Sequence, residues 1–217
     1  MIITYYGKQC FKIQQGQTTL GINVYNTESA KSNGKPKPPR FRSDILLVSM
    51  NHSDFAPDGI ADLDLHSPKD PFVVAGPGEY EIKDIVIKGF QTESGYQGRQ
   101  YNSFYLIEIE GMKVAVLGAL ANKDLPIEVK EVAPDSDIWI TPIGGSEVLE
   151  AEEAYKLAVK MEPAVIIPCH YDNGNGDSLQ HFLKSGGLEK AKPQEKLTIK
   201  KKDLAGQTGE IVVLDPQ

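Results

Sequence analysis

Cysteine is scarce: Cys10 and Cys169 are the only two in 217 residues. That excludes a disulfide framework and leaves too few thiols for a cysteine zinc cluster, so both are expected to be reduced, structural thiols. Long apolar runs are missing too, because no stretch approaches the roughly 20 residues of a membrane-spanning helix. The opening Met1-Ile2-Ile3-Thr4-Tyr5-Tyr6 lacks the basic region and cleavage pattern of a secretory signal. The expectation is a cytoplasmic protein with no membrane partner. Positive charge is in deficit, 23 Lys and Arg against 30 Asp and Glu for a net −7, which disfavours a phosphate backbone, so nucleic acid is not an expected partner. What is present, 40% hydrophobic residues, is enough for one core. A domain of this size buries roughly 70% of its unfolded surface, and one domain over residues 1–217 is the expectation.

The first half is written in short β-like runs. Ile2 to Tyr6, Cys10 to Gln14 and Thr18 to Asn23 read as an antiparallel meander, with Gln15-Gly16 as a turn. The stretch from Asn26 to Arg42 mixes Lys31, Lys35, Lys37, Arg40 and Arg42 with Pro36, Pro38 and Pro39, which predicts an exposed basic loop. Asp44 to Ser49 is a continuous apolar run, as in a strand covered on both faces, and it delivers Met50 to Pro57 at its C-terminal end. Further strands are predicted at Phe72 to Ala75, Ile85 to Lys88, Phe104 to Ile109 and Lys113 to Leu117, with Glu110-Gly111 turning the last pair into a hairpin.

After Trp139-Ile140-Thr141 the period becomes helical. Ala151, Ala154, Tyr155, Ala158 and Met161 recur on one face, Ser146 is the expected N-cap, and Pro163 stops the helix. The strand Val165 to Ile167, a Gly-rich loop, a helix from about Asp177 to Lys184 ended by Gly186-Gly187, and strands at Lys196 to Lys201 and Glu210 to Leu214 complete the chain. The pattern is an α/β or α+β layered domain without repeats.

Two of the four histidines stand at strand ends, His52 in Ser49-Met50-Asn51-His52-Ser53-Asp54-Phe55 and His170 in Ile167-Pro168-Cys169-His170-Tyr171. In an extended segment His52 and Asp54, two residues apart, point the same way and could share a metal or a water; the bland reading is that they cap or turn. Cys169 and His170, being adjacent, point to opposite faces, which favours a buried thiol over a nucleophile. His66, in a turn-like context, and His181, within the late helix, are assigned no role. Gly76-Pro77-Gly78 and Pro142-Ile143-Gly144-Gly145 lack nucleotide-loop spacing and read as turns needing positive φ or close backbone approach.

From end to end the chain resembles the metallo-β-lactamase superfamily, in particular metal-dependent hydrolases similar to ascorbate-6-phosphate lactonase. Gly7-Lys8-Gln9-Cys10-Phe11-Lys12-Ile13, Lys37-Pro38-Pro39-Arg40-Phe41, Gly76-Pro77-Gly78-Glu79-Tyr80-Glu81, Pro142-Ile143-Gly144-Gly145, Ala151-Glu152-Glu153-Ala154 and Ile167-Pro168-Cys169-His170-Tyr171 carry the resemblance. It implies an α/β fold, the αββα sandwich of two mixed β-sheets flanked by helices, with a two-metal cleft at one edge. The signature loop His-x-His-x-Asp-His reads Met50, His52, Asp54 and Phe55 here. The middle His falls at or next to Ser94, the bridging Asp falls on Ala119, the His of the opening Gly-His-Ser reads Lys8, and the Asp-Pro ending the third strand reads Asn23-Val24.

The resemblance thus leaves His52, Asp54 and His170 as remnant metal positions out of seven, and Met50, Phe55, Ser94 and Ala119 as degenerate ones. Two sites that need three or four donors each are both incomplete. Without a bridging carboxylate or bound ions, no water is brought to hydroxide near neutrality, so no catalytic residue is assigned and no cofactor is expected. A rebuilt site, with Glu93, Asp124 or His66 as new donors, would take zinc or manganese. Three functions stay open. The first is a binding or assembly module for a small molecule or protein, its former cleft lined by Met50, Phe55 and Tyr96 or Tyr101. The second is a hydrolase with a single metal, or a metal-free one using His52 and Asp54, acting on a phosphorylated or lactone-like small molecule. The third is a homo-oligomer in which a partner chain completes or covers the cleft.

Overall fold

The computed structural model describes residues 1–25, 39–57, 70–171 and 177–217. Much of the basic loop, the His66 turn and the Gly-rich loop before the late helix lie outside the described residues. The opening meander forms as β1 (Ile2–Tyr5), β2 (Phe11–Gln15) and β3 (Thr18–Ile22), each antiparallel to the last. The apolar run β4 (Ile45–Val48) is wholly buried and pairs parallel with β3 and with β5 (Phe72–Ala75).

Gly76 (φ 114°) and Gly78 (φ 149°) turn the chain from this sheet into the second, a backbone path that L side chains resist. There β6 (Gly78–Ile82), β7 (Ile85–Glu93), β8 (Tyr101–Ile109) and β9 (Met112–Val116) form an antiparallel run. Three parallel pairings extend it through β10 (Ile138–Pro142), β11 (Val165–Cys169) and β13 (Glu210–Ile211). The short β12 (Leu197–Thr198) returns to pair with β1. Both sheets are therefore mixed, six strands ordered β12-β1-β2-β3-β4-β5 and seven ordered β13-β11-β10-β9-β8-β7-β6.

The sheets face each other across a core that sets Ile3, Phe11, Leu20 and Leu47 against Ile87, Ile107, Ile140 and Ile167. Helices α1 (Ile127–Val132), α2 (Ala151–Met161) and α3 (Asp177–Ser185) cover the outer face of the second sheet, packing Val129, Ala154, Leu157 and Phe182 onto Phe104, Leu106 and Trp139. Two mixed sheets with flanking helices make this an α/β sandwich. Cys10 and Cys169 are both buried, and burial pushes the Cys10 thiol well above its ordinary value, against the lowering effect of a backbone hydrogen bond from Tyr25.

Some local expectations need correction. Helix α2 begins after Glu150, whose side chain makes no cap bond; Ser146 sits instead at φ 62° in a turn, its N–H donating to Glu150 Oε1 (3.0 Å). The strand expected over Lys196 to Lys201 shrinks to β12, because Lys201–Leu204 coils into a 3₁₀ turn with Asp203 Oδ2 accepting the Lys200 N–H (2.9 Å). The strand expected over Glu210 to Leu214 likewise ends at Ile211. Strand β6 and helix α1 were not anticipated. The alternation Glu79, Tyr80, Glu81, Ile82 is nonetheless that of a half-buried edge strand, with charge along the open edge.

Asp44 bolts the sheets together at the start of β4. Its carboxylate accepts the Thr19 N–H (2.8 Å) and the Lys83 ammonium (2.6 Å), the latter from the β6–β7 turn. The hydrogen bond from Lys83 is the main cause that holds this carboxyl below its ordinary value. A depressed folded-state value gives stability that is present above the unfolded value and lost as pH falls through the folded one. Asp44→Asn is therefore expected to melt below the parent near about pH 7, and the two should converge near about pH 2 in paired thermal melts. A gap independent of pH would contradict this.

Candidate functional site

The remnant and degenerate positions all lie in the described residues, His66 does not, and loops from both sheets bring the former to one edge. The first sheet supplies Lys8 from the β1–β2 turn and His52 and Asp54 from beyond β4. The second supplies Ser94 and Tyr96 from the β7–β8 connection, Ala119 from beyond β9 and His170 from the end of β11. Ser94 and Ala119 meet directly, the Ser94 hydroxyl donating to the Ala119 carbonyl (2.9 Å).

His52 and Asp54 do come together, though not along an extended segment. After Met50 the chain curls, with Phe55 and Ala56 N–H groups donating to the His52 carbonyl (2.9 and 3.0 Å). That curl lets the Asp54 N–H donate to His52 Nδ1 (3.1 Å), while His52 Nε2 donates to Gln97 Oε1 (3.0 Å). Both imidazole nitrogens are therefore engaged, in the pattern of a neutral ring protonated on Nε2.

Asp54 is the centre of the arrangement, with partners on both carboxylate oxygens. Oδ1 is paired with the ammonium of Lys8, and Oδ2 accepts the hydroxyl of Tyr96 (2.5 Å). The pair is nearly dry, the Lys8 and Asp54 side chains being 7% and 6% exposed, and the Lys8 ammonium also stands 5.2 Å from the centre of the Tyr25 ring. Burial, then the hydrogen bond and charge of Asp54, push the Tyr96 phenol far above its ordinary value, so it remains a proton donor.

His170 leaves strand geometry at φ 58°, its N–H donating to the Lys8 carbonyl (2.7 Å) and its Nδ1 accepting from the Gln9 amide (2.7 Å). Gly144 permits that path, since a Cβ there would strike the His170 carbonyl.

Tyr96 fills the space between the remnants. Its ring packs edge-on against His52 (5.5 Å between centres), Phe55 (5.2 Å) and His170 (5.4 Å). With Met50, Phe55, Ala119 and Val148 it makes a separate buried apolar cluster. The ring of Phe55, expected to line a pocket, is taken up as packing in this plug. Met50 and Tyr101 do line one, a cavity of about 770 Å³ beside the plug, while Tyr96 and His170 border a smaller space of about 210 Å³. The alternative donors stay outside: Glu93 is exposed and accepts from Asn122 (2.8 Å), and Asp124 is exposed. Among the described residues no three His, Cys, Asp or Glu side chains gather as a metal-holding group.

Sequence reasoning noted Lys8 only as a departure and did not foresee Tyr96 as the partner of Asp54. The available signal was reciprocity of charge: a lysine gained at the cleft while one aspartate was kept.

A family profile described as "Beta-lactamase superfamily domain" matches residues 2–170. A UPF0173 protein of Pyrococcus abyssi is 25% identical over 201 residues, covering 85% of this chain and 90% of that one. A UPF0173 metal-dependent hydrolase of Thermoplasma acidophilum is 24% identical over 200 residues, 78% of this chain and 83% of the relative. Among solved structures, a Thermotoga maritima protein described as a Zn-dependent hydrolase of the metallo-beta-lactamase superfamily superposes with a TM-score of 0.70 at 21% identity, over 99% of both chains. The profile spans most of the 217 residues, and the chain belongs to the beta-lactamase superfamily domain family.

Proposed function

We propose that this chain is a metal-independent member of its family, a binding or assembly module in place of a two-metal hydrolase. The observation that carries the reading is the Lys8 ammonium on Asp54. A buried carboxylate needs a counter-charge, and here a side chain of the protein provides it. With Tyr96 on the second oxygen, an ion at Asp54 would compete with a partner on either oxygen. The donor set does not fit a metal: Met50, Phe55 and Ala119 offer at most a thioether, and Gln97 and Gln9 already engage the two imidazoles. The hydrolytic route of the fold depends on a metal-bound hydroxide, and no step through one is assigned to these residues.

The test is a metal count. The untagged protein is incubated with zinc or manganese, freed of excess ion and measured by mass spectrometry, with His170→Ala alongside. The expected content is below about a tenth of an ion per chain. A stoichiometric ion that disappears in His170→Ala would overturn the reading and put a rebuilt hydrolase first.

A further inference from the structure

The short turn that plugs the cleft also shapes the cavity beside it. Tyr96–Gly98 is a 3₁₀ turn kinked at Gln97 (φ 46°, ψ 43°); its first residue reaches inward to Asp54, and the chain then emerges through Arg99 to Tyr101 on the rim of the 770 Å³ cavity. Met50 is the shared wall, packed in the plug on one side and lining the cavity on the other. The volume is within the roughly 300–1,000 Å³ of small-molecule pockets.

Its lining is one-sided in charge, with neutral polar side chains such as Asn51, Gln91 and Asn102 beside the apolar ones. Val48, Val73 and Ala75 make an apolar wall, and Tyr101 on the rim is 64% exposed, the second most exposed large hydrophobic residue among the described ones. Although the chain carries 30 acidic residues, no carboxylate is among the described lining residues, and the single charge there is the Arg99 guanidinium. Arg99 is exposed and has no ion pair among the described residues. Ser49, also in the lining, has a buried hydroxyl with no hydrogen-bond partner among them.

We infer that this cavity binds a small amphipathic organic anion, its apolar body against the Val48, Val73 and Ala75 wall beneath Tyr101 and its acidic head on Arg99. The inference rests on the binding-module reading and gives it a ligand class. A guanidinium at the mouth of a carboxylate-free pocket with an apolar wall repays the desolvation of an anionic head and discriminates against cationic or neutral analogues of the same shape.

The probe is 8-anilinonaphthalene-1-sulfonate, titrated by fluorescence into the full chain, with N-phenyl-1-naphthylamine as its uncharged counterpart and decanoate as competitor. One saturable site per chain is expected, displaced by decanoate and weakened by about tenfold or more in Arg99→Glu, with the uncharged probe unaffected by that change. Absence of saturable binding, or equal affinity of parent and Arg99→Glu, would overturn the inference. Metal content measured on the same preparation separates the two claims. A stoichiometric ion with intact probe binding would sink only the metal-free reading, and a metal-free protein without probe binding would sink only this one.

Discussion

Replacing Lys8 by Met is expected to destabilise the protein by about 3 kcal/mol, a drop of roughly 6–12 °C in melting temperature for a chain of this size. The loss comes less from the attraction removed than from what remains, an Asp54 carboxylate buried without its cation. Asp54→Leu should cost a similar amount, because it takes the carboxylate from the Lys8 ammonium and the Tyr96 hydroxyl together. The double variant Lys8→Met/Asp54→Leu should recover about 2 kcal/mol relative to the sum of the singles, since a buried ion pair exchanged for apolar groups of similar volume is often close to neutral. Adding Tyr96→Phe removes the hydroxyl that Asp54 accepted and should restore more. Denaturant melts of the full cycle decide the matter. If the two single costs add to within about 0.5 kcal/mol, Lys8 is not the counter-charge of Asp54.

Gly118→Ala is expected to be at least as damaging, at about 4 kcal/mol. Gly118 stands at φ 58°, where an L side chain is strained, and a Cβ there would collide with Asn102 Oδ1 and lie 2.7 Å from Ser49 Cβ. Asn102 cannot yield cheaply. Its amide donates to Thr92 Oγ1 (2.9 Å) and the Leu117 carbonyl (2.8 Å) and accepts from the Ala119 N–H (2.8 Å), which ties β7 to β8 and to the chain leaving β9. Gly111→Ala is the control, because Gly111 has a comparable φ of 70° but nothing within 4 Å of the added Cβ. It should cost only about 1 kcal/mol, the backbone part alone. Equal midpoints for the two variants would show that crowding against Asn102 is not what Gly118 avoids.

The sandwich was readable because its signals are local. The continuous apolar run at Ile45–Val48 announced a strand covered on both faces, and the recurrence of Ala151, Ala154, Ala158 and Met161 announced the helix whose buried face they form. Elements without such signals escaped. Ser146 has the chemistry of an N-cap, yet it sits in a left-handed turn inside the short loop closed by the Gly144–Glu150 bridge, so loop closure overrode the capping preference.

The candidate site divides in the same way. Loss of donors at Met50, Phe55 and Ala119 is a change of residue type and shows in the sequence itself. What filled the space does not, because Lys8 and Tyr96 lie 46 and 42 positions from the carboxylate they hold, and only the folded chain brings them together. Equally, the curl after Met50 brings His52 to Asp54 by a route that side-chain alternation along a strand did not suggest.

The pairing of β1 with β12 sets Ile2 opposite Thr198, while the rest of the first sheet is assembled from residues before 76. The flank of β1 is therefore capped by a strand that follows the whole second sheet except β13 in chain order. Contacts of such sequence separation are slow to close, and until they do the backbone donors and acceptors of β1 stand open to other chains. The length of time that edge stays uncovered, more than the final stability of the sandwich, sets the exposure of the nascent protein to misassembly.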